Sequence, residues 1–480
     1  MISKKVIIIG AGLSGLSAAY KLIEAGYRTT ILEARQRPGG RVETLTHPFS
    51  EGLFAEAGAY YISDQHSLTM HYIKNICKLP LSPILSEQSI LWYYLKNEPE
   101  PMLPIDLQRG IGKFAQGTVR LVENPWPLSV NLNPREQDKG LYVFLKEYLA
   151  PKDFQKAFSS SKNLNSYSKV FQKFDQMNFL DFLKSSGASE SAIKLLEPWL
   201  VPYIDQYNKV SALSILRDAK LARTFDKSDR KWYTLERGME GLPRALEAKL
   251  PIGTVQYNSP AIELFQNKKG VSVTYLDSGT RRSIIGDKVI CTIPFPVLRE
   301  IQIRPVLSRE KRKILRDLPY ASVMKIFIQC ETGIYGRKGW NGHIFSDLGM
   351  NLIDSTFHIK GREEGILQLV TSGKQAKKLG SLSEQERINF AVDSMDKVFP
   401  GVRKSFEKSG SRGVSKFWDE EHWNRGAYAF FKPGQITAFK TGTFEPEGSL
   451  HFAGDHTSQI PGWMEGAFQS AHRVVDEIIG

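Results

Sequence analysis

One stretch near the amino terminus constrains this chain more than any other. Lys5-Val6-Ile7-Ile8-Ile9 is a short, mostly β-branched run of the kind that is buried on both faces in a parallel sheet. Gly10-Ala11-Gly12-Leu13-Ser14-Gly15 follows at once, and Leu16 to Ala25 then repeats apolar residues at helical spacing. Gly10 suits a tight turn, Gly12 lets a pyrophosphate approach the backbone, and Gly15 lets helix and strand pack closely. The anion would sit at the positive helix N-terminus. A second strand-like run, Arg28 to Leu32, ends in Glu33, eighteen residues beyond Gly15. An acid there accepts hydrogen bonds from adenosine ribose hydroxyls and disfavours a 2′-phosphate. The unit implies an α/β, Rossmann-type domain for a dinucleotide, and by itself it does not separate NAD from FAD.

The remainder of the chain bounds what can accompany that unit. At 480 residues there is room for two or three domains at about 150 residues each. An apolar share of 41% excludes a disordered chain. Cys77, Cys291 and Cys330 share no metal-type or redox spacing, and an odd count is poor material for a disulfide framework, so a reducing, cytoplasmic setting is expected. No run reaches the roughly 18 apolar residues of a membrane span. The short apolar run before Gly10 reads as a strand rather than a signal peptide, and the end at Gly480 leaves no expected tail anchor. The net charge of +13 is scattered. Its densest stretch, Arg304 to Arg316, reads as a solvated helix face, and no aromatic-interleaved basic motif supports nucleic-acid binding. Residues 141–227 look mainly helical and match no motif. His451 and His456 have no third ligand in sight, so no metal is expected.

The residues after β-like Arg28 to Leu32 narrow the cofactor. Glu33-Ala34-Arg35-Gln36-Arg37-Pro38-Gly39-Gly40-Arg41 resembles the E-A-x-x-R-x-G-G-R signature of the flavin-containing amine oxidase family. Paired glycines bring backbone N–H groups against a cofactor, and Arg37 and Arg41 add guanidinium donors suited to phosphate. The likeness continues through Glu56-Ala57-Gly58-Ala59, Leu235 to Pro243, Val289 to Pro294, Tyr320 to Ile326, Phe452 to Thr457 and Gly462 to Ala467. It implies two interleaved domains. A Rossmann-type FAD-binding domain would take about 1–85, 228–300 and 440–480. An α+β substrate-binding domain would take 86–227 and 301–439, mostly helical from about 140 to 227. Beyond the glycine loop and signature, the resemblance places Leu13, Ser14, Ala34, Arg35, Ala57, Gly58, Ala59, Ala261, Thr292, Gly454, Asp455, Gly462, Trp463, Met464 and Ala467 on the cofactor.

An alkylamine titrates near the lysine value of about 10, so it arrives charged and must shed a proton before oxidation. Burial among aromatic rings favours the neutral form. By resemblance, Tyr428 and Trp463 wall the substrate, with Tyr61, Trp418 and Trp423 as further pocket candidates. Lys325, in an apolar strand pattern, corresponds to a lysine that reaches the flavin through water and assists reoxidation by O2. Met464 opens the last helix, whose N-terminus would favour the anionic reduced flavin.

Two departures from the pattern matter. Ala427 stands where several members attach the flavin through cysteine, so non-covalent FAD is expected. Tyr61 stands where L-amino-acid oxidases carry a carboxylate-binding arginine, which favours simple amines, although a tyrosine hydroxyl or another arginine could substitute. The resemblance thus implies an FAD-dependent oxidase that converts a primary amine or polyamine to an imine, then aldehyde and ammonia, while O2 becomes hydrogen peroxide. The alternatives are an L-amino-acid oxidase with a non-standard carboxylate anchor and a non-catalytic, flavin-bearing scaffold protein. A small amine or amino acid and O2 are the expected partners, with neither nucleic acid nor a membrane span; a homodimer is left open.

Overall fold

The computed structural model describes residues 4–50, 52–85, 91–94, 102–106, 110–115, 118–121, 132–137, 147–160, 168–196, 207–221, 231–268, 270–332, 334, 343–346, 348–350, 352–357 and 363–480. The opening unit forms β1 (Lys5–Ile9), α1 (Leu13–Glu24) and β2 (Arg28–Leu32). The helix starts at Leu13 rather than Leu16, because the extended backbone of Gly12 already serves as its N-cap. β1 pairs in parallel with β2 on one side and with Lys288–Cys291 on the other. Val255–Gln256 and Leu450–Phe452 complete a five-stranded parallel sheet. Val6, Ile7 and Ile8 are wholly buried because both faces are covered. α1 and the last helix, Met464–Ile479, pack on one face, and Leu264, Phe295, Leu298 and Ile314 on the other.

A second sheet joins Ala261–Asn267, Gly270–Asp277 and Thr280–Gly286 to Gln302–Arg304. Alternation buries Val271, Val273 and Tyr275, as the sequence pattern indicates. Gln302–Arg304 pairs with Ala261–Asn267, and the helix Arg309–Asp317 packs Ile314 and Leu315 beside Leu450 and Phe452. Both elements therefore pack on the side of the parallel sheet, although they lie beyond residue 300. That helix exposes Arg309, Arg312, Lys313 and Arg316, as a solvated basic face requires, with one exception. Lys311 is buried, with Nζ donating to the Glu445 carbonyl at 2.8 Å and lying 3.9 Å from the Phe452 ring centre. Burial, opposed by Glu447 and Glu445, brings its pKa down to about 8.

The other lobe is built on a sheet of nine strands among the described residues. Val323–Glu331 lies between Glu364–Ser372 and Gly413–Phe417, antiparallel to both. The period of two sends Met324, Ile326, Ile328 and Cys330 towards the helix Glu384–Val398, whose Ser383 and Glu386 form a capping box. Val323, Lys325 and Phe327 face the opposite way. Five described helices between Lys152 and Leu221 enclose a phenylalanine-rich core of Phe154, Phe171, Phe174, Phe179 and Phe182. Among the described residues, no helix is long and apolar enough to cross a membrane.

Candidate active site

A cavity of about 460 Å³ opens beyond the carboxyl ends of β1 and β2, where ligands bind in open α/β sheets. Gly10, Gly12, Leu13, Ser14, Glu33, Ala34 and Arg35 line it, followed along the chain by Gly39, Gly40, Arg41, Ala57, Gly58 and Ala59. Ala261, Thr292, Gly454, Asp455, Gly462, Met464 and Ala467 also reach it. So do Lys325, Tyr61, Trp418, Trp423, Tyr428 and Trp463, which brings together residues scattered over the whole sequence.

Two expected cofactor residues stand outside the cavity wall. Gly15 packs instead: a Cβ there would lie 2.0 Å from the Gly10 carbonyl oxygen, so only glycine lets α1 approach the loop. Arg37 is a correction. Its guanidinium donates to the carbonyls of Pro38 and Val42 at 3.1 Å and Gly40 at 3.1 Å, and it pairs with Glu43 at 3.0 Å. It holds the Gly39-Gly40 turn in shape rather than offering itself to a phosphate.

The loop and its acid fit a dinucleotide. The Glu33 carboxylate accepts from Ala11 N–H at 2.7 Å and Arg35 N–H at 2.9 Å, and burial raises its pKa against those bonds. A Cβ on Gly12 would meet no atom within 4 Å, and one on Gly40 only the Gly12 Cα at 3.9 Å. The space over the α1 N-terminus is therefore bare and open to an anion. Arg41 lines this space but crosses to the carboxy-terminal segment. It forks onto both oxygens of Asp455 and donates to the Ala427 carbonyl at 2.8 Å. Burial alone would raise the Asp455 pKa, yet the Arg41 charge and the Gly462 N–H at 2.8 Å hold it well below the usual carboxylate range. The pair is thus internally neutral, and the donors expected from Arg41 are largely engaged by the protein.

Lys325 is only 7% exposed. Its Nζ donates to the carbonyls of Glu56 at 2.9 Å and Gly58 at 2.7 Å and lies 4.9 Å from the Tyr60 ring centre. The nearby Glu56 carboxyl has its pKa pushed up to about 7 by burial, although Met239 N–H and the Thr44 hydroxyl bond to it. The aromatic side chains form the rest of the wall. Gly462 packs against the Tyr428 ring, and Trp418 Nε1 donates to the Ala57 carbonyl at 3.1 Å. Tyr61 meets Trp232 at 5.9 Å, and Trp232 meets Trp463 at 6.1 Å between ring centres.

Sequence reasoning missed Asp218, which lines the same cavity from the helix Ala212–Leu221. Its carboxylate accepts from Trp463 Nε1 at 2.7 Å. Burial pushes its pKa up to about 7, against that bond. A signal was present: an aspartate within Ala212, Leu213, Ile215, Leu216 and Ala219, all buried, is an expensive choice unless the carboxylate is used.

The geometry agrees with comparison to known proteins. The family model for flavin containing amine oxidoreductase matches residues 13–479. YobN of Bacillus subtilis (strain 168) is 30% identical over 99% of this chain and 94% of its own length. An L-amino-acid oxidase of Vipera ammodytes ammodytes is 26% identical over 97% of this chain and 91% of its own. Two solved structures share the fold over essentially the full length of each chain. They are wild-type putrescine oxidase bound to putrescine (TM-score 0.77, 19% identity, 100% of this chain and 99% of that one), and cyclohexylamine oxidase from Brevibacterium oxydans IH-35A (TM-score 0.77, 17% identity, 100% of both). With a dinucleotide loop, a buried lysine and an aromatic wall meeting in one cavity, the chain belongs to the flavin-containing amine oxidoreductases, enzymes that oxidise amines or amino acids.

Proposed function

We propose that the protein is an FAD-dependent oxidase of amines that lack a carboxylate, with FAD held non-covalently. One observation carries the reading: a single cavity joins the bare glycine loop and Glu33 to an aromatic wall whose unexpected polar member is the acid Asp218. Glu33 would hold the adenosine ribose, and the α1 N-terminus the diphosphate. When bound, the flavin supplies the two-electron oxidation of the carbon–nitrogen bond and passes the electrons to O2. The protein's part is to desolvate and orient. Tyr428, Trp463 and Trp418 exclude water and favour the neutral amine, which alone is oxidised. Of the arginines in the cavity wall, Arg41 is engaged by Asp455 and Arg35 donates to Asn424 and, at 2.9 Å, to Glu421. Neither is set as a carboxylate clamp in place of the arginine that Tyr61 replaces. The L-amino-acid oxidases of Vipera ammodytes ammodytes and Bothrops moojeni, each 26% identical to this chain, favour a second reading, an L-amino-acid oxidase with another carboxylate anchor.

Peroxide formation decides between the two. For matched pairs of amine and L-amino acid, kcat/KM is expected to favour the amine at least tenfold. A tenfold preference for the acid, about 1.4 kcal/mol of transition-state binding, would reverse the assignment. Absence of turnover on both would favour a scaffold role.

Ala427 carries the non-covalent assignment, because it offers no sulfur next to Tyr428. Acid precipitation is expected to release FAD into the supernatant, whereas flavin retained in the pellet would contradict it. We also read the location as cytoplasmic, supported by three free cysteines, Cys77, Cys291 and Cys330.

A further inference from the structure

We propose that Asp218 is the anchor for a second positive charge on the substrate, so that the cavity prefers diamines or polyamines to monoamines. This rests on the reading of the chain as an amine oxidase. Among the described residues three carboxylates line the cavity, and the other two are satisfied by the protein. Asp455 is paired with Arg41, and Glu33 accepts two backbone N–H groups. Asp218 receives one hydrogen bond, from the neutral Trp463 indole, and among the described residues no lysine or arginine pairs with it. The neighbouring Arg217 does not line the cavity, and its guanidinium lies over the Phe171 ring at 5.4 Å.

A carboxylate facing an apolar, aromatic wall is costly unless a cation joins it. The amino group being oxidised cannot fill that role throughout the reaction, because it must be neutral at the reacting carbon. A second ammonium elsewhere on the substrate stays charged and can remain at Asp218 from binding through turnover. A substrate carboxylate would instead meet like charge. Trp463 thereby serves twice, as a wall of the pocket and as the group that orients the Asp218 carboxylate.

The test compares α,ω-diaminoalkanes of three to eight carbons with n-alkylamines of the same lengths, on the holoenzyme and on Asp218→Asn. Asparagine keeps an acceptor for the Trp463 indole and nearly the same volume, so flavin content is expected to hold. Wild type should favour the best diamine over its monoamine partner at least tenfold in kcat/KM. Asp218→Asn should lose about 10²-fold on the diamine, the scale of one charged substrate contact, and at least tenfold less than that on the monoamine, so that the preference for the diamine collapses. Saturating diamine should raise the Tm of the wild-type flavoprotein and not that of the variant. Asp218→Glu, one methylene longer, should move the preferred diamine one carbon shorter. This variant keeps the test decisive should Asp218→Asn lose its flavin.

Equal losses on both series, or a wild-type preference for monoamines, would overturn the anchor. A preference for L-lysine over L-norleucine that vanishes in Asp218→Asn would support the anchor and overturn the carboxylate-free reading. Oxidation of no compound in any series would overturn the oxidase reading itself, and the Tm shift would then judge the anchor alone.

Discussion

Gly15→Ala is expected to yield protein with little bound flavin and a sharply lowered Tm. The added Cβ would lie 2.0 Å from the Gly10 carbonyl oxygen and 3.2 Å from Ile8 Cγ2, and the first of these is backbone that cannot rotate away. Gly10 itself is fixed, with φ of +104° and its N–H donating to the Leu32 carbonyl at 2.9 Å. Relief therefore requires α1 to lift from β1, yet Leu16, Ala18, Ala19 and Leu22 of that helix are wholly buried. Overpacking against immobile backbone should cost about 3 kcal/mol or more, at the upper end of small-to-large core changes. The helix N-terminus would move with it, and the anion site would be lost. Gly12→Ala is the contrasting control. Its Cβ meets nothing, so Tm in the absence of flavin should hold, while flavin affinity should fall because the methyl enters the bare space. Absorbance at the flavin band per mole of protein, with Tm, reads both variants. Normal flavin content in Gly15→Ala would show that the loop has slack that its geometry conceals.

Lys325→Met is expected to slow reoxidation of the reduced enzyme by O2 about 10²–10³-fold, or roughly 3–4 kcal/mol, with anaerobic reduction by amine much less affected. Lys325 carries a preorganised positive charge in the cavity wall, and oxygen acquires negative charge as it is reduced. Methionine preserves most of the volume, but volume is not the whole cost. The carbonyls of Glu56 and Gly58 lose their shared donor, and a buried acceptor left unpaired costs about 1–3 kcal/mol. A lowered Tm with retained flavin is thus part of the expected result. Stopped-flow traces of the two half-reactions separate the effects. Unchanged reoxidation in a flavin-replete variant would reduce Lys325 to a brace between the sheet and the Glu56–Gly58 segment.

Arg37 and Arg41 show where sequence reasoning stops. They are the same residue type within one glycine-rich turn, and by pattern both suit a phosphate. Arg37 turns back onto carbonyls one to five residues away. Arg41 reaches Asp455, 414 residues along the chain. Local chemistry set the turn but not the partner, because the partner arrives only when the last segment docks. Trp463 and Asp218, 245 residues apart, repeat the lesson. Trp463 follows a legible motif, whereas Asp218 sits in a helical region without one, so its only signal was an acid among apolar residues, which names no partner.

By itself the sequence determined the features that depend on neighbours in the chain. The β-branched run dictated a buried strand, and the glycines at 10, 12 and 15 a loop open to an anion. These follow from steric and periodic rules that act over a few residues. Only the tertiary structure decided which face of the strand Val323–Glu331 meets the dinucleotide lobe, that Lys311 is buried, and that Arg41 is neutralised by Asp455. It alone decided that Asp218 looks into the aromatic cavity. Those outcomes depend on which distant surfaces close against each other, and closure selects partners by shape and charge across the assembled lobes.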